Sequence, residues 1–185
     1  MDLLIGLLST ALIALVPFLW TRYISRPKVT LEIIQHGGSS SSPGLSAKNV
    51  LNADGYIDGD TALRIFELTW RFKVKITNNS DLTAFFPQLI FNPKGPRLEF
   101  VEQLSILEPI KPHESILLNA EYNSVEEKIG SERTDVGRQL PDEFKTLGIL
   151  LIYQNSHDTK SYTLFEFTQK KNTFLRSMPK EYTVG

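Results

Sequence analysis

The stretch ELTWRFKVKIT, residues 67–77, decides how this chain is read. Leu68, Trp70, Phe72, Val74 and Ile76 alternate without a fault against Glu67, Thr69, Arg71, Lys73, Lys75 and Thr77. A repeat of two is the signature of a strand with one face buried and the other in water; a helix would scatter the same residues around its axis. The stretch therefore predicts a β-domain.

Working outward, Asn78-Asn79-Ser80-Asp81 has turn composition, and AFFPQLIF (84–91) follows as the expected hairpin partner of the first strand. Its Pro87 confines it to an edge or a bulge. On the other side, KVTLEIIQ (28–35) places Val29, Leu31 and Ile33 on one face. HGGSSSSPGLSAKN (36–49) reads as a flexible loop, part of an excursion over 36–60 that leaves the sheet and returns. Further on come minor strands within 98–107, then SILLNAEY (115–122), ILLIYQ (149–154) as a strand buried on both sides, and SYTLFEFTQ (161–169) as its hairpin partner. Residues 123–146 are polar with no sustained period, and LPDEFKTLG (140–148) has the proline and acidic pair of a short helix start.

These elements predict a mainly β protein: one antiparallel β-sandwich over 28–170 with a short helical crossover, and a small β-barrel as the alternative. The strand order resembles the immunoglobulin-like or fibronectin-like plan in outline. The resemblance is architectural, because the chain has no cysteine pair and no tyrosine-corner spacing. Residues 171–185 read as an unpatterned tail.

The first 27 residues read as an anchor and its exit. LLIGLLSTALIALVPFLW (3–20) carries no charge, and eighteen helical residues span about 27 Å, close to the hydrocarbon thickness of a bilayer. Asp2 stands where a cleaved leader would be basic, and Phe18, Leu19 and Trp20 stand where it would be small, so the segment is expected to remain. Trp20 and Tyr23, with Arg22, Arg26 and Lys28, form the expected membrane-interface belt. The positive-inside rule then puts the β-domain on the cytoplasmic side of a single-pass protein, with an extracytoplasmic domain as the alternative. Asn78-Asn79-Ser80 is a glycosylation sequon that would matter only on a glycosylating side.

With 20 basic and 21 acidic residues the chain generates no global field, and no nucleic-acid partner is expected. The absence of cysteine excludes disulfides, thiol catalysis and cysteine metal sites. His36, His113 and His157 sit in turns without a second ligand at useful spacing, and Asp54, Asp58 and Asp60 miss the calcium-loop signature. Neither a metal site nor a cofactor is expected. No nucleophile, base and acid can be grouped, so no catalytic residues are assigned and no enzyme is expected.

Binding candidates remain. Arg71, Lys73 and Lys75 form a row of cations suited to an anionic ligand, with Lys170, Lys171 and Arg176 as a second cluster. Phe85 and Phe86 are candidate partner contacts on an exposed edge. The expectation is a membrane-anchored protein-interaction or scaffold module, through a protein partner or self-association. The alternative is a ligand-gated effector that binds a small anionic, nucleotide-like messenger through Arg71, Lys73 and Lys75 under a 36–60 lid, and clusters its transmembrane helices. In layout it resembles small bacterial defence effectors.

Overall fold

The computed structural model describes residues 13, 15–17, 25–132, 136 and 139–182. Eight strands follow in order: β1 (Val29–Leu45), β2 (Leu63–Asn78), β3 (Phe85–Phe91), β4 (Glu99–Phe100), β5 (Ser115–Ile129), β6 (Gly148–Gln154), β7 (Lys160–Glu166) and β8 (Lys171–Leu175). Every pairing is antiparallel. They form two four-stranded sheets, ordered β1-β2-β5-β4 and β3-β6-β7-β8. The protein is thus mainly β and sandwich-like.

The alternation in β2 builds the core. Leu68, Trp70, Phe72, Val74 and Ile76 are each no more than 1% exposed, and they share one cluster with Ile149, Leu151, Tyr153 and Phe165 of the second sheet. Burying a side chain of this kind contributes about 1.5–3 kcal/mol, so the match between the two apolar faces holds the sheets together. In β6, Ile149, Leu150 and Leu151 are all buried, as an unbroken apolar run requires of a central strand. A short 3-10 helix at Asp142–Thr146 delivers Phe144, whose ring stacks on Phe72 at 5.3 Å.

One seam between the sheets is closed by side chains instead of a ladder. The Asn172 amide on β8 accepts from Leu31 N at 2.8 Å and donates to Leu31 O at 2.9 Å. Thr163 Oγ1 on β7 donates to Val29 O at 2.7 Å. All three bonds satisfy backbone groups that β1, as the edge of its sheet, leaves unpaired.

The structure departs from the sequence reading in four places. The 84–91 strand does not pair with 67–77: β2 lies between β1 and β5, and β3 crosses to pair with β6. The buried Asn78 fastens the chain where that crossing begins, its Nδ2 donating to the carbonyls of Leu82, Ile110 and Lys111 at 2.7–3.2 Å. Residues 36–45 are not a flexible loop but the second half of β1, paired to β2 as far as Leu45 opposite Arg64, with bulges at Gln35/Gly37 and Ser41/Gly44. Residues 123–129 continue β5 beside β2, although they read as part of a crossover. The stretch read as an unpatterned tail contains β8, an edge strand with no fully buried residue and so no apolar period.

The predicted anchor lies almost wholly outside the described residues; of 3–20, Ile13 and residues 15–17 are described, and these are helical. Among the described residues no helix is long and apolar enough to cross a membrane.

Candidate functional site

β1 begins, β2 ends and the β6–β7 turn lies at one end of the sandwich, where the chain arrives from its N-terminal segment. A cleft of about 670 Å³ opens there. Its walls are segment 25–28, turn 79–82 after β2, and the facing ends of β6, β7 and β8.

Local hydrogen bonds fix each wall. The Tyr153 hydroxyl lies 3.1 Å from both the Pro27 carbonyl and Thr163 Oγ1, which seats segment 25–28 on the second sheet. Burial pushes the Tyr153 phenol above its usual range, so it stays protonated and keeps this contact. Asn155 Nδ2 donates to Ser25 O at 3.4 Å, while its Oδ1 accepts from His157 N and Thr159 N and closes the β6–β7 turn. The Asn78 side chain holds turn 79–82, its Oδ1 accepting from Ser80 N and Oγ.

The cleft is electropositive. Arg26, Lys28 and Arg176 line it, against one carboxylate, Asp81. Asp81 Oδ1 is 2.9 Å from His113 Nε2. Arg26 Nη1 donates to Lys160 O at 3.5 Å, whereas Lys28 and Arg176 have no ion-pair partner among the described residues. On the floor, Ser161 is 3% exposed and its Oγ has no hydrogen-bond partner among the described residues.

The residues singled out by sequence are dispersed. Arg71, Lys73 and Lys75 share the outer face of β2, a central strand and not a sheet edge. Acidic residues interleave them: Arg71 Nε is 3.2 Å from Glu121 Oε1, and Lys75 stands opposite Glu32 in the register. The row is a mixed, solvated face. Of the 36–60 segment, 36–45 lies beside the row as strand, and the remaining loop leaves the sheet beside Arg64, seven residues or about 23 Å along β2 from Arg71. That loop is pinned at its base, with the Asn49 side chain bonded to Ser46 O, Leu63 O and Leu63 N at 2.8 Å each.

Phe85 and Phe86 lie where β3, an edge strand, bulges between Phe85 and Gln88. Pro87 is buried in that bulge; Phe86 is 46% exposed at a φ of 51°. Arg26 and Lys28, expected at a membrane interface, line the cleft; Trp20, Arg22 and Tyr23 lie outside the described residues. Asn78, the sequon acceptor, is fully buried and therefore closed to glycosylation in the folded chain. Among the described residues no three His, Cys, Asp or Glu side chains could hold a metal ion.

Sequence reasoning missed Tyr153 and Ser161. Tyr153 carries a weak signal, a hydroxyl ending an otherwise apolar run. Ser161 carries none. No protein-family model matches this chain, nor does any curated protein or solved structure.

Proposed function

We propose that this chain is a non-enzymatic, single-pass membrane protein whose immunoglobulin-like β-sandwich is a protein-interaction module held at the bilayer on the cytoplasmic side. The strand order supports the immunoglobulin-like type: β1-β2-β5-β4 and β3-β6-β7 follow the A-B-E-D and C-F-G arrangement of that plan, with β8 added at the end. The uncharged segment 3–20 supports the anchor.

Phe86 carries the interaction reading. A bulky residue at positive φ is strained, and strain of about 1–3 kcal/mol persists where the surrounding structure imposes it. The strain turns a large apolar ring toward solvent on an open strand edge, the surface through which β-domains add a partner. The partner is another protein or a second copy of the chain.

A photo-cross-linking residue at position 86 of the full chain, in intact membranes, tests this. A discrete adduct is expected at 86 and not at position 73 on the outer face of β2. The same adducts from both positions would sink the edge as a docking surface. Resistance of the chain to carbonate extraction, with a one-sided reporter at Gly185, tests the anchor and its orientation.

The second reading, a ligand-gated effector responding to an anionic messenger, is favoured by the electropositive cleft. Arg26, Lys28 and Arg176 replace Arg71, Lys73 and Lys75 as its contacts.

A further inference from the structure

A buried hydroxyl without a partner is uncommon in a folded protein, and leaving one unpaired costs about 1–3 kcal/mol. Ser161 Oγ is such a group, and it lines a cleft that also gathers three cations from both ends of the domain sequence. Two hydroxyls of the cleft walls are already committed, Tyr153 to Pro27 and Thr163 and Ser80 to Asn78, while Ser161 is the one that is buried without a partner among the described residues. An oxygen-rich anion would satisfy the excess charge and the orphan donor together.

We propose that this cleft binds a phosphate group, with Arg26, Lys28 and Arg176 supplying the charge and Ser161 a hydrogen bond, and that the phosphate belongs to an anionic phospholipid headgroup. Ser161 Oγ has almost no accessible surface, so a ligand oxygen reaches it only once the side chains above it turn aside. The cations are therefore the first contacts and Ser161 the later one. Asp81 opposes the anion, and its contact with His113 offsets that charge when the imidazole is protonated.

The lipid source rests on the membrane-anchored reading above. Residues 25–28 follow Trp20 so closely that even a fully extended chain holds them within about 28 Å of it. Leu82 and Phe174, both partly exposed, add an apolar rim of the kind that enters a headgroup layer. Juxtamembrane cations gain further from the negative surface of an anionic leaflet.

The test uses the full chain in a neutral, phosphate-free detergent, titrated with dihexanoyl phosphatidic acid, dihexanoyl phosphatidylcholine and inorganic phosphate while the thermal unfolding midpoint is followed. Phosphatidic acid is expected to raise the midpoint, and phosphatidylcholine, whose ammonium group offsets its phosphate charge, to leave it unchanged. Arg176→Gln should weaken the response about tenfold and Ser161→Ala about threefold, in line with losing a charged and a neutral hydrogen bond. Arg71→Gln, on the outer face of β2, should not weaken it. Equal responses to the two lipids, or equal losses from Arg176→Gln and Arg71→Gln, would overturn the site. Inorganic phosphate binding as tightly as phosphatidic acid would keep the phosphate site and overturn its lipid source. Release of the chain from membranes by carbonate would overturn the anchor alone, since the micelle titration does not depend on it.

Discussion

The long strands β1, β2 and β5 have two halves that live in different surroundings. In the first half, 29–35, 70–78 and 115–122 present their apolar face to the second sheet, and Phe72 stacks on Phe144 there. In the second half, 37–45, 63–69 and 123–129 run on beyond it: β1 has 17 residues, about 56 Å of strand, while β6 and β7 have 7 each, about 23 Å. Its inner face is met by the connection between β5 and β6: Val136 lies against Gly38, and at the boundary between the halves Val136 O accepts from Gln35 Nε2 and Gln139 O from Trp70 Nε1. Val136 and Leu140 pack against the core from the same side.

The difference teaches what holds a strand. The first half is held by burial against another sheet; in the second, 37–45 and 123–129 are held mainly by pairing to β2, whose own Phe66 and Leu68 stay buried there. Glycines and serines suffice on β1 there because the neighbouring backbone asks only for hydrogen bonds, and Glu126 and Lys128 of β5 can meet as an ion pair on its inner side.

The largest expected effect separates the halves directly. Phe72→Ala should destabilise the fold by about 3–5 kcal/mol, and Phe66→Ala by about 2, because a connection can collapse into the space that a sheet cannot. Urea unfolding of the two variants checks this, and equal losses would break the distinction. Gly38→Ala comes next. A Cβ there would stand 2.8 Å from Thr69 O and 3.0 Å from Val136 O, both backbone atoms, so overpacking should cost about 1–3 kcal/mol. A neutral Gly38→Ala in the same assay would mean that the connection does not press on the second half.

The smallest effect lies at the junction. Tyr122 packs edge-on against Phe144 at 5.0 Å and donates to Glu143; burial, with that carboxylate adding to it, pushes its phenol to about 12. The folded state therefore holds this proton after the unfolded chain has lost it. The stability it contributes is complete below about pH 10 and falls away as the pH rises toward 12. Tyr122→Phe should flatten the alkaline decline of the unfolding midpoint between about pH 10 and 12 without abolishing it, since Tyr182 is also raised to about 12. Superimposable curves for the variant and the parent would show that Tyr122 is not held at the junction in its neutral form.

The elements most legible in the sequence are those whose surroundings impose a periodic pattern. β2 and β6 could be read directly, and Pro87 marked both an edge and a bulge. The halves 36–45 and 123–129 could not, because a strand held by its neighbour's backbone leaves little trace in its own side chains. The site was legible only in pieces: Arg26 and Lys28 were noted as one group and Arg176 as another, with nothing to connect them. Ser161 looks like any strand serine until β6 and β7 enclose it.

The alternation at 67–77, the apolar run at 149–154 and the turn residues between strands were enough to establish a mainly β chain, since side-chain burial at a period of two is a local property. Which strand pairs with which, how far β1 and β5 extend, and the meeting of Arg26, Lys28, Ser161 and Arg176 in one cleft belong to the tertiary structure. Those outcomes depend on competition between distant segments for the same backbone hydrogen bonds and the same apolar face, which local pattern does not record.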